Sequence, residues 1–291
     1  MTEVSEDRWA AWLRRRRSGG DEAFEARTVA QLAQARERIL DNAELEAGET
    51  LLDVGCGNGL VAFGALERGA GRVVFADVSP SLLEESRAIA SDLGLGGRCE
   101  FVEASADDLA AVESGSVDVV TTRSVLIYVR DKPAAFAEFF RVLRPGGRIS
   151  LFEPINTFGM EERRSEWLAL DVPGLEAAGA KLDALFDELQ PASDPMLDFD
   201  ERDLMREAEA TGFFPVRADV RLVVEASERR SWEGFLNSAG NPKIPTFAEA
   251  MEQALSPEEA ERFVEYARPR VEQGLGRWRM GSAYLWATKP G

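Results

Sequence analysis

Short apolar runs alternate with amphipathic segments through the middle of the chain. The runs predict buried strands, which lie near 51–54, 72–76, 99–103, 117–121 and 148–152. Segments with helical spacing separate them, an alternation typical of a mainly parallel sheet with helices on its faces. Two further strands are predicted at 216–225 and 282–288. We therefore expect a single α/β sheet with helical segments before it and between its last strands.

Helical segments surround this core on both sides. Residues 1–46 predict a helical N-terminal cap, with Trp9, Trp12 and Leu13 on one face of a first helix and Val29, Leu32, Ile39 and Leu40 on one side of a second, near 21–45. Residues 47–154 form the core, and 155–291 hold the end of the sheet with two helical insertions, at about 155–212 and 226–281. Because these insertions contain no low-complexity linker, we expect them to fold over the core as a lid.

Local signals place the helices within the insertions. Leu182, Leu185, Phe186 and Leu189 recur at spacings of three and four, and a helix over 201–211 is expected to end at Gly212. Thr246 and Ser256 are each followed three residues later by glutamate, a capping box that predicts a helix start. Glycines at Gly240 and across 274–281 suggest joints about which the second insertion closes.

A glycine-rich turn follows the first predicted strand directly. Asp53 lies in that strand, and Gly55, Gly57 and Gly59 occupy the turn into the next helix. Glycines there allow a sharp turn and leave backbone N–H groups facing a ligand. Such a turn by itself is weak evidence, so neighbouring signals decide its meaning.

An acidic residue ends the second predicted strand. Asp77 is followed by Ser79 and Pro80, which predict a helix start, so the carboxylate lies at a strand's carboxyl end. In doubly wound folds an acid roughly 20 residues beyond the glycine turn can accept the hydroxyls of a ribose. A nicotinamide-dependent dehydrogenase would carry the same acid, but its glycines follow a G-x-G-x-x-G spacing that this chain lacks. A different nucleotide-like cofactor is favoured.

These motifs resemble the class I S-adenosylmethionine (SAM)-dependent methyltransferases, in particular the group similar to the C-methyltransferases of quinone biosynthesis. The resemblance covers roughly residues 50 to 154 and rests on DVGCGNG from Asp53, on Asp77, and on the fourth and fifth strands, in VDVVTTRSVLIYV and RVLRPGGRISLFEP. It implies a Rossmann-like, seven-stranded, mainly parallel sheet closed by an antiparallel pair formed from the last two strands.

The resemblance also implies a set of cofactor contacts for SAM and its product S-adenosylhomocysteine. The glycine turn would hold the methionine and ribose end, the end of the second strand the ribose hydroxyls, the segment after the third strand the adenine, and the end of the fourth strand the amino-acid moiety. The residues concerned are Asp53, Gly55, Cys56, Gly57, Gly59, Asp77, Val78, Ser105, Ala106, Asp107, Arg123 and Ser124. At Ser105 the family often has an acid that receives the adenine amine, and Asp107 is the candidate substitute.

Catalytic candidates follow the fourth and fifth strands. Tyr128 and Glu153 are polar side chains at the positions where an acceptor would meet the methyl group, and Arg123 and Asn156 lie close by in sequence. Glu153 is the first candidate for a general base, with Tyr128 orienting the acceptor. The alternatives stay open: Tyr128 could cover the sheet edge, and Glu153 could cap a helix or pair with an arginine.

Aromatic residues are frequent in the insertions, including Trp167, Phe186, Trp232, Phe235, Phe247 and Phe263. Most are expected in the core, but helices over an open strand edge usually leave an apolar pocket. The expected acceptor is therefore a hydrophobic small molecule, methylated on oxygen or carbon.

The composition of the chain limits which classes of partner it is expected to bind. The formal net charge is −18, which disfavours nucleic-acid binding. Only the run Arg14–Arg17 is basic, and a solvated helix end is a better reading of it than an anion or partner site.

The chain has no histidine, so we expect no metal site. Cys56 and Cys99 are expected to be small buried thiols. No apolar run suits a membrane span or a leader, so a cytoplasmic location is expected.

Three functions remain open on the sequence. The favoured one is a SAM-dependent methyltransferase acting on a small molecule. The others are an NAD(P)-dependent oxidoreductase and a SAM-binding protein whose chemistry is lost or altered.

Overall fold

A seven-stranded sheet forms the centre of the computed structural model, which describes residues 6–158 and 175–291. Its strands are β1 Thr50–Val54, β2 Arg72–Asp77, β3 Cys99–Glu103, β4 Val117–Arg123, β5 Leu143–Pro154, β6 Val216–Ala226 and β7 Arg277–Thr288. The order is β3-β2-β1-β4-β5-β7-β6, with β7 antiparallel to both of its neighbours and the other pairs parallel. The expected Rossmann-like sheet is confirmed. Successive strands are added on one side of β1 up to β3 and on its other side from β4 onwards. Ligands are expected outside the carboxyl ends of β1 and β4, where this reversal occurs.

β5 spans Leu143–Pro154 instead of the predicted 148–152, and β7 is also longer than predicted. It begins at Arg277 instead of 282, because residues before Ser282 pair only with β6 and form a two-stranded ribbon beyond the end of β5. Gly281 is therefore inside a strand and buried, so its prediction as a joint was wrong. Gly274 instead ends a helix, with φ at +68°.

Helices flank the sheet on both faces. They are α1 Arg8–Ala11, continued by a π-helical turn at Trp12–Arg16, α2 Glu22–Asn42, α3 Leu60–Glu67, α4 Pro80–Asp92, α5 Lys132–Val142, α6 Glu176–Leu189, α7 Glu201–Thr211, α8 Trp232–Leu236, α9 Phe247–Ala254 and α10 Pro257–Gln273. The capping boxes at Thr246 and Ser256 and the helix end at Gly212 are present as predicted. Ile39 and Leu40 of α2 are buried, whereas Val29, predicted on the same side of this helix, is 54% exposed.

Three groups of apolar side chains form the core. One lies on the face of the sheet covered by α5 and α7, and a second lies under α2 and α3. A third joins α6, α8, α9 and α10, and contains Trp232, Phe235, Phe247 and Phe263 with Phe186 packed against it. The insertion aromatics thus build a core of their own, while Trp167 lies outside the described residues. Within residues 6–158 and 175–291, every helix is too short or too polar to cross a membrane.

Candidate functional site

The glycine turn after β1 has left-handed backbone at three positions. Gly55, Gly57 and Gly59 have φ of +65°, +55° and +85°. A Cβ on Gly55 would lie 2.3 Å from Val125 Cγ2, and one on Gly59 would lie 2.4 Å from the ring of Phe63. These two glycines are required by packing as well as by the turn.

Gly57 is different, because the space beside it is open. A Cβ there would have one atom within 4 Å, Leu13 Cδ2 at 3.9 Å. Leu13 belongs to the first helical segment, so the turn faces a gap beneath that segment. This open space beside the turn fits the cofactor that the motif implies.

Asp53 lies below this turn and is fully engaged with the protein. It is 2% exposed, and its two carboxylate oxygens accept hydrogen bonds from Thr121 Oγ1 at 2.8 Å and from the Ala62 N–H at 3.1 Å. Burial raises the pKa of the Asp53 carboxyl to about 7. The second bond caps the first turn of α3, whose N-cap, Gly59, has no side chain to do so. These contacts favour a role in holding the turn, and direct cofactor contact by Asp53 stays a prediction.

Asp77 ends β2 beside the same turn. Its Oδ2 accepts the Gly57 N–H at 2.7 Å and its Oδ1 accepts the Ser79 N–H at 2.9 Å. Burial raises its pKa, and the nearby Asp7 acts in the same direction. Each oxygen of a carboxylate can accept more than one hydrogen bond, so both remain able to receive ribose hydroxyls. This position at the end of β2 favours ribose binding by Asp77, which stays a prediction.

The predicted adenine segment lies at the same edge of the sheet. The Ala104 N–H donates to the Asp77 carbonyl at 3.1 Å, which joins the ends of β2 and β3. Ser105 Oγ donates to Asp107, and Ala106 is buried. Val78 is 44% exposed beside them and offers an apolar surface. The structure thus brings this segment next to Asp77.

Ser124 follows β4 in an unusual conformation. Its φ is +58°, which is uncommon for a residue with a side chain, and its N–H donates to the Phe152 carbonyl at 2.7 Å. Arg123 Nη1 donates to Ser124 Oγ at 3.4 Å. Burial and the charge of Arg17 both lower the pKa of Arg123. Such backbone strain is often found where a ligand binds.

Glu153 is buried completely inside the turn that follows β4. Oε1 accepts hydrogen bonds from the N–H groups of Val125 and Leu126 at 3.0 and 3.1 Å, and from Thr122 Oγ1 at 3.2 Å. Oε2 accepts the Ile127 N–H at 3.3 Å. Burial raises its pKa to about 7, although each of these bonds acts in the opposite direction. The contacts favour the capping alternative, and its role as a base stays a prediction.

Tyr128 lies where three parts of the chain meet. Its ring contacts Trp9 edge to face, with 4.8 Å between ring centroids, and Lys243 Nζ lies 5.6 Å from its ring centroid. Burial raises the pKa of its hydroxyl. In the described part of the chain no group hydrogen-bonds to this hydroxyl, so it can orient an acceptor.

The segment from Arg8 to Arg16, here called the cap helix, contacts both the core and the second insertion. Asp7, its N-cap, accepts a hydrogen bond from Ser79 Oγ at 2.6 Å on the core side. On the insertion side, Trp12 Nε1 donates to the Ala239 carbonyl, and the Ala239 N–H donates to the Arg16 carbonyl, both at 2.8 Å. The sequence indicated an amphipathic helix here but not which surfaces it joins.

The basic run at the end of the cap helix divides into two parts. Arg14 pairs with Glu6 and Glu85, Arg15 with Glu6, and Arg16 with Glu249. These three arginines form surface ion pairs, as a solvated helix end would. Arg17 is half-buried, and burial lowers its pKa.

Known proteins resemble the chain over the part that contains the glycine turn and Asp77. Residues 52–151 match the family model described as a methyltransferase domain. The nocamycin O-methyltransferase of Saccharothrix syringae is 34% identical over 60% of the chain, and a ubiquinone/menaquinone biosynthesis C-methyltransferase of Hahella chejuensis is 38% identical over 39%. The chain spans 59% and 46% of the length of these two relatives.

The fold agrees with these matches. A solved geranyl diphosphate methyltransferase in complex with SAM superposes with a TM-score of 0.53 and 21% identity, covering 96% of this chain and 94% of that one. The matched domain contains the glycine turn and Asp77, whose geometry suits the cofactor of that family. Residues 52–151 therefore form a methyltransferase domain, and the sheet that contains it has the fold of the class I SAM-dependent methyltransferases.

Proposed function

We propose that this protein transfers a methyl group from SAM to an oxygen or carbon nucleophile of a hydrophobic small molecule. The observation that carries the proposal is the hydrogen bond from the Gly57 N–H to Asp77, beside open space at the point where the sheet reverses its winding. Support for the acceptor class comes from the relatives, which are named as an O-methyltransferase and as a C-methyltransferase.

The chain's own residues bind and align the reactants. SAM supplies a methyl group that is already activated on a sulfonium, so alignment and exclusion of water provide most of the catalysis. Asp77 would accept the ribose hydroxyls, and Val78 with the 105–107 segment would border the adenine. Arg123 and Ser124 would border the amino-acid end.

The acceptor would bind beyond the end of β4, next to Tyr128. This hydroxyl has no protein partner in the described residues, and burial keeps it protonated, so it would donate a hydrogen bond to the acceptor. Trp9 adds an apolar edge at the same place. The combination favours a molecule with an apolar body and one polar group.

The test begins with binding. Calorimetric titration with S-adenosylhomocysteine should give saturable binding, whereas titration with NAD should give none. A screen of phenols, quinols, carboxylates and amines for S-adenosylhomocysteine release should then identify acceptors. Binding of NAD alone would contradict the proposal. Binding of S-adenosylhomocysteine without turnover on any acceptor would instead support a protein of altered chemistry.

A further inference from the structure

The outer edge of β6 has no neighbouring strand in the described part of the chain. β6 is the last strand of the sheet, and only β7 pairs with it there. At the two ends of this pair, the Ser227 N–H donates to the Gly276 carbonyl at 3.0 Å and the Thr288 N–H donates to the Pro215 carbonyl at 3.3 Å. Hydrogen-bonded and non-bonded pairs alternate along an antiparallel ladder, so the odd-numbered residues of β6 direct their N–H and C=O groups at β7. The even-numbered residues therefore direct theirs outward.

The even-numbered residues of β6 are all apolar. They are Val216, Ala218, Val220, Leu222, Val224 and Ala226. Val216 packs against the core on the face that α7 covers, whereas three residues further along the strand, here called the outer row, are exposed: Val220 by 44%, Leu222 by 54% and Val224 by 49%. Many edge strands are protected by lysine, proline or a bulge. β6 has none of these between Val216 and Ala226, and its ladder with β7 is regular.

The odd-numbered residues place charges of both signs on the other face of β6. Arg217, Asp219 and Arg221 alternate in sign, and Glu225 follows. Asp219 pairs with Arg38 of α2 at the surface, and the exposed Arg221 pairs with no carboxylate of the described residues. Like charges directly opposite each other destabilise a strand pair, whereas opposite charges stabilise it. A second strand should therefore pair with this edge in a register that brings unlike charges together.

A second copy of β6 can be placed along this edge antiparallel, about a two-fold axis. Outward N–H and C=O groups must oppose outward groups, so the axis passes through a residue position and not between two of them. An axis at Asp219 or at Arg221 would place two identical residues of like charge opposite each other. An axis at Leu222 would place Asp219 opposite the partner's Glu225. Repulsion between like charges disfavours these three registers.

An axis at Val220 suits both faces of the strand. Each Asp219 then lies opposite the partner's Arg221, and the symmetry makes this pair occur twice. On the other face, Val220 lies beside the partner's Val220 and Leu222 beside the partner's Ala218, so the outer rows of the two copies join. An axis two residues earlier or three residues later also opposes unlike charges, but it pairs fewer residues of β6.

We propose that the protein forms a two-fold dimer through antiparallel pairing of β6 at this register, with one continuous sheet running through both copies. The proposal does not depend on methyl transfer. The pairing satisfies the outward N–H and C=O groups between Val216 and Val224, and it shields part of the outer row from water. Phe214, which is 76% exposed just before the strand, then lies at the end of the pairing beside the partner's Ala226.

Charge reversal tests this register. By sedimentation equilibrium the wild type should have twice the mass of the chain. Arg221→Asp and Asp219→Arg should each raise the dimer dissociation constant about tenfold or more, because each variant alone opposes like charges in both pairs. An equimolar mixture of the two variants should dimerise as wild type does, since every aspartate then opposes an arginine. Glu252→Arg makes the same change of charge as Asp219→Arg on the exposed side of α9, and this control should stay dimeric.

A symmetric cysteine tests the position of the axis. Two residues in a hydrogen-bonded antiparallel pair have Cα atoms about 5.5 Å apart, which is within the range of a disulfide. Val220→Cys should therefore crosslink to its partner under mild oxidation, whereas Val224→Cys, opposite the partner's Val216, should not. The wild type, with Cys56 and Cys99, gives the background. Circular dichroism of every variant separates loss of pairing from loss of folding.

A wild type that stays monomeric over about a hundredfold range of concentration would overturn the proposal. A dimer whose stability neither charge variant changes would also overturn it, because the contact would then lie elsewhere on the surface. If a monomeric wild type instead co-sediments with phosphatidylcholine vesicles, the outer row contacts lipid and the proposal is wrong. Crosslinking through Leu222→Cys in place of Val220→Cys would contradict the register.

Discussion

Three carboxylates lie at the carboxyl edge of the sheet: Asp53, Asp77 and Glu153. They differ in their exposure and in their hydrogen-bond partners. Asp53 and Glu153 are 2% and 0% exposed and accept hydrogen bonds from a hydroxyl and from backbone N–H groups that shape turns. Asp77 lies closer to the open space by Gly57. Their chemistry is alike, so the contacts around each one decide which role we predict for it: ligand binding for Asp77 and support of the turns for Asp53 and Glu153.

Replacement of Asp77 should weaken cofactor binding. Asp77→Ala removes two charge-assisted acceptors for ribose hydroxyls, and we expect a loss of roughly 2 to 4 kcal/mol in S-adenosylhomocysteine affinity by calorimetry. Glu103→Ala, an exposed carboxylate at the end of β3, is the control and should bind normally. Because Asp77 also accepts two backbone N–H groups, Asp77→Asn provides a variant that keeps the shape. Unchanged affinity in both folded Asp77 variants would remove the residue from the site.

Glu153→Gln separates a base from a structural cap. If the residue caps the turn, the new amide turns a donor towards the Ile127 N–H, and the free energy of unfolding should fall by about 1 to 3 kcal/mol. Turnover per folded molecule should then change little. If it is a base, turnover should fall roughly a hundredfold with stability nearly intact. Denaturant unfolding together with steady-state rates on an acceptor from the screen distinguishes the two, and the contacts lead us to expect the first.

At the scale of elements, the cap helix and the second insertion form one connected cover. Across this contact Trp12 Nε1 donates to the Ala239 carbonyl, and the Ala239 N–H donates to the Arg16 carbonyl. Ser231, at the start of α8, also donates its N–H to Asp21, the N-cap of α2. Movement of the cap helix should therefore be coupled to movement of the second insertion.

Hydrogen exchange should detect that movement in the insertion. We expect residues 226–281 to exchange more slowly when S-adenosylhomocysteine and an acceptor are both bound, because closing excludes water from the reacting groups. The strand segment 282–288, paired on both sides, is an internal reference that should not change. Protection that is already maximal without ligand would mean that the insertion is a fixed wall.

At the scale of the whole molecule, buried carboxyls make stability depend on pH. The pKa of Glu153 is about 7 in the folded protein and close to its ordinary 4.5 when unfolded. Between these values the folded state holds more protons than the unfolded state, so rising pH lowers the free energy of unfolding, by up to about 1.4 kcal/mol per pH unit. Below about pH 4.5 and above about 7 this contribution is constant.

Glu153→Gln separates the contribution of this carboxyl to the pH dependence of stability from the contributions of the other titrating groups. Unfolding free energies of wild type and Glu153→Gln, measured from pH 4 to 8, should converge as pH rises between about 4.5 and 7, since only the wild type loses stability through this carboxyl. A constant difference across that range would show that Glu153 does not titrate with a raised pKa.

The sheet, the glycine turn and the resemblance to a methyltransferase domain could all be predicted from local patterns in the sequence. Strand and helix periods, capping boxes and the glycines of the turn are local signals, so they could be read at 51–54 or at Thr246 without knowledge of distant contacts. Asp77 could be placed at a strand end for the same reason, and it does end β2. Where the local pattern was ambiguous, as in the charged residues that open β7, the boundary was misplaced.

Which polar groups find hydrogen-bond partners could not be predicted from the sequence, because those partners lie on distant segments of the chain. Glu153 accepts N–H groups from a turn about 27 residues earlier, because the strand order places β5 beside the end of β4. Hydrogen-bond partners and counter-charges depend on contacts between distant parts of the chain, which a linear pattern does not encode. The cofactor motif could therefore be recognised in the sequence. The hydrogen-bond partners of the charged residues around it, such as Glu153, depend on the fold.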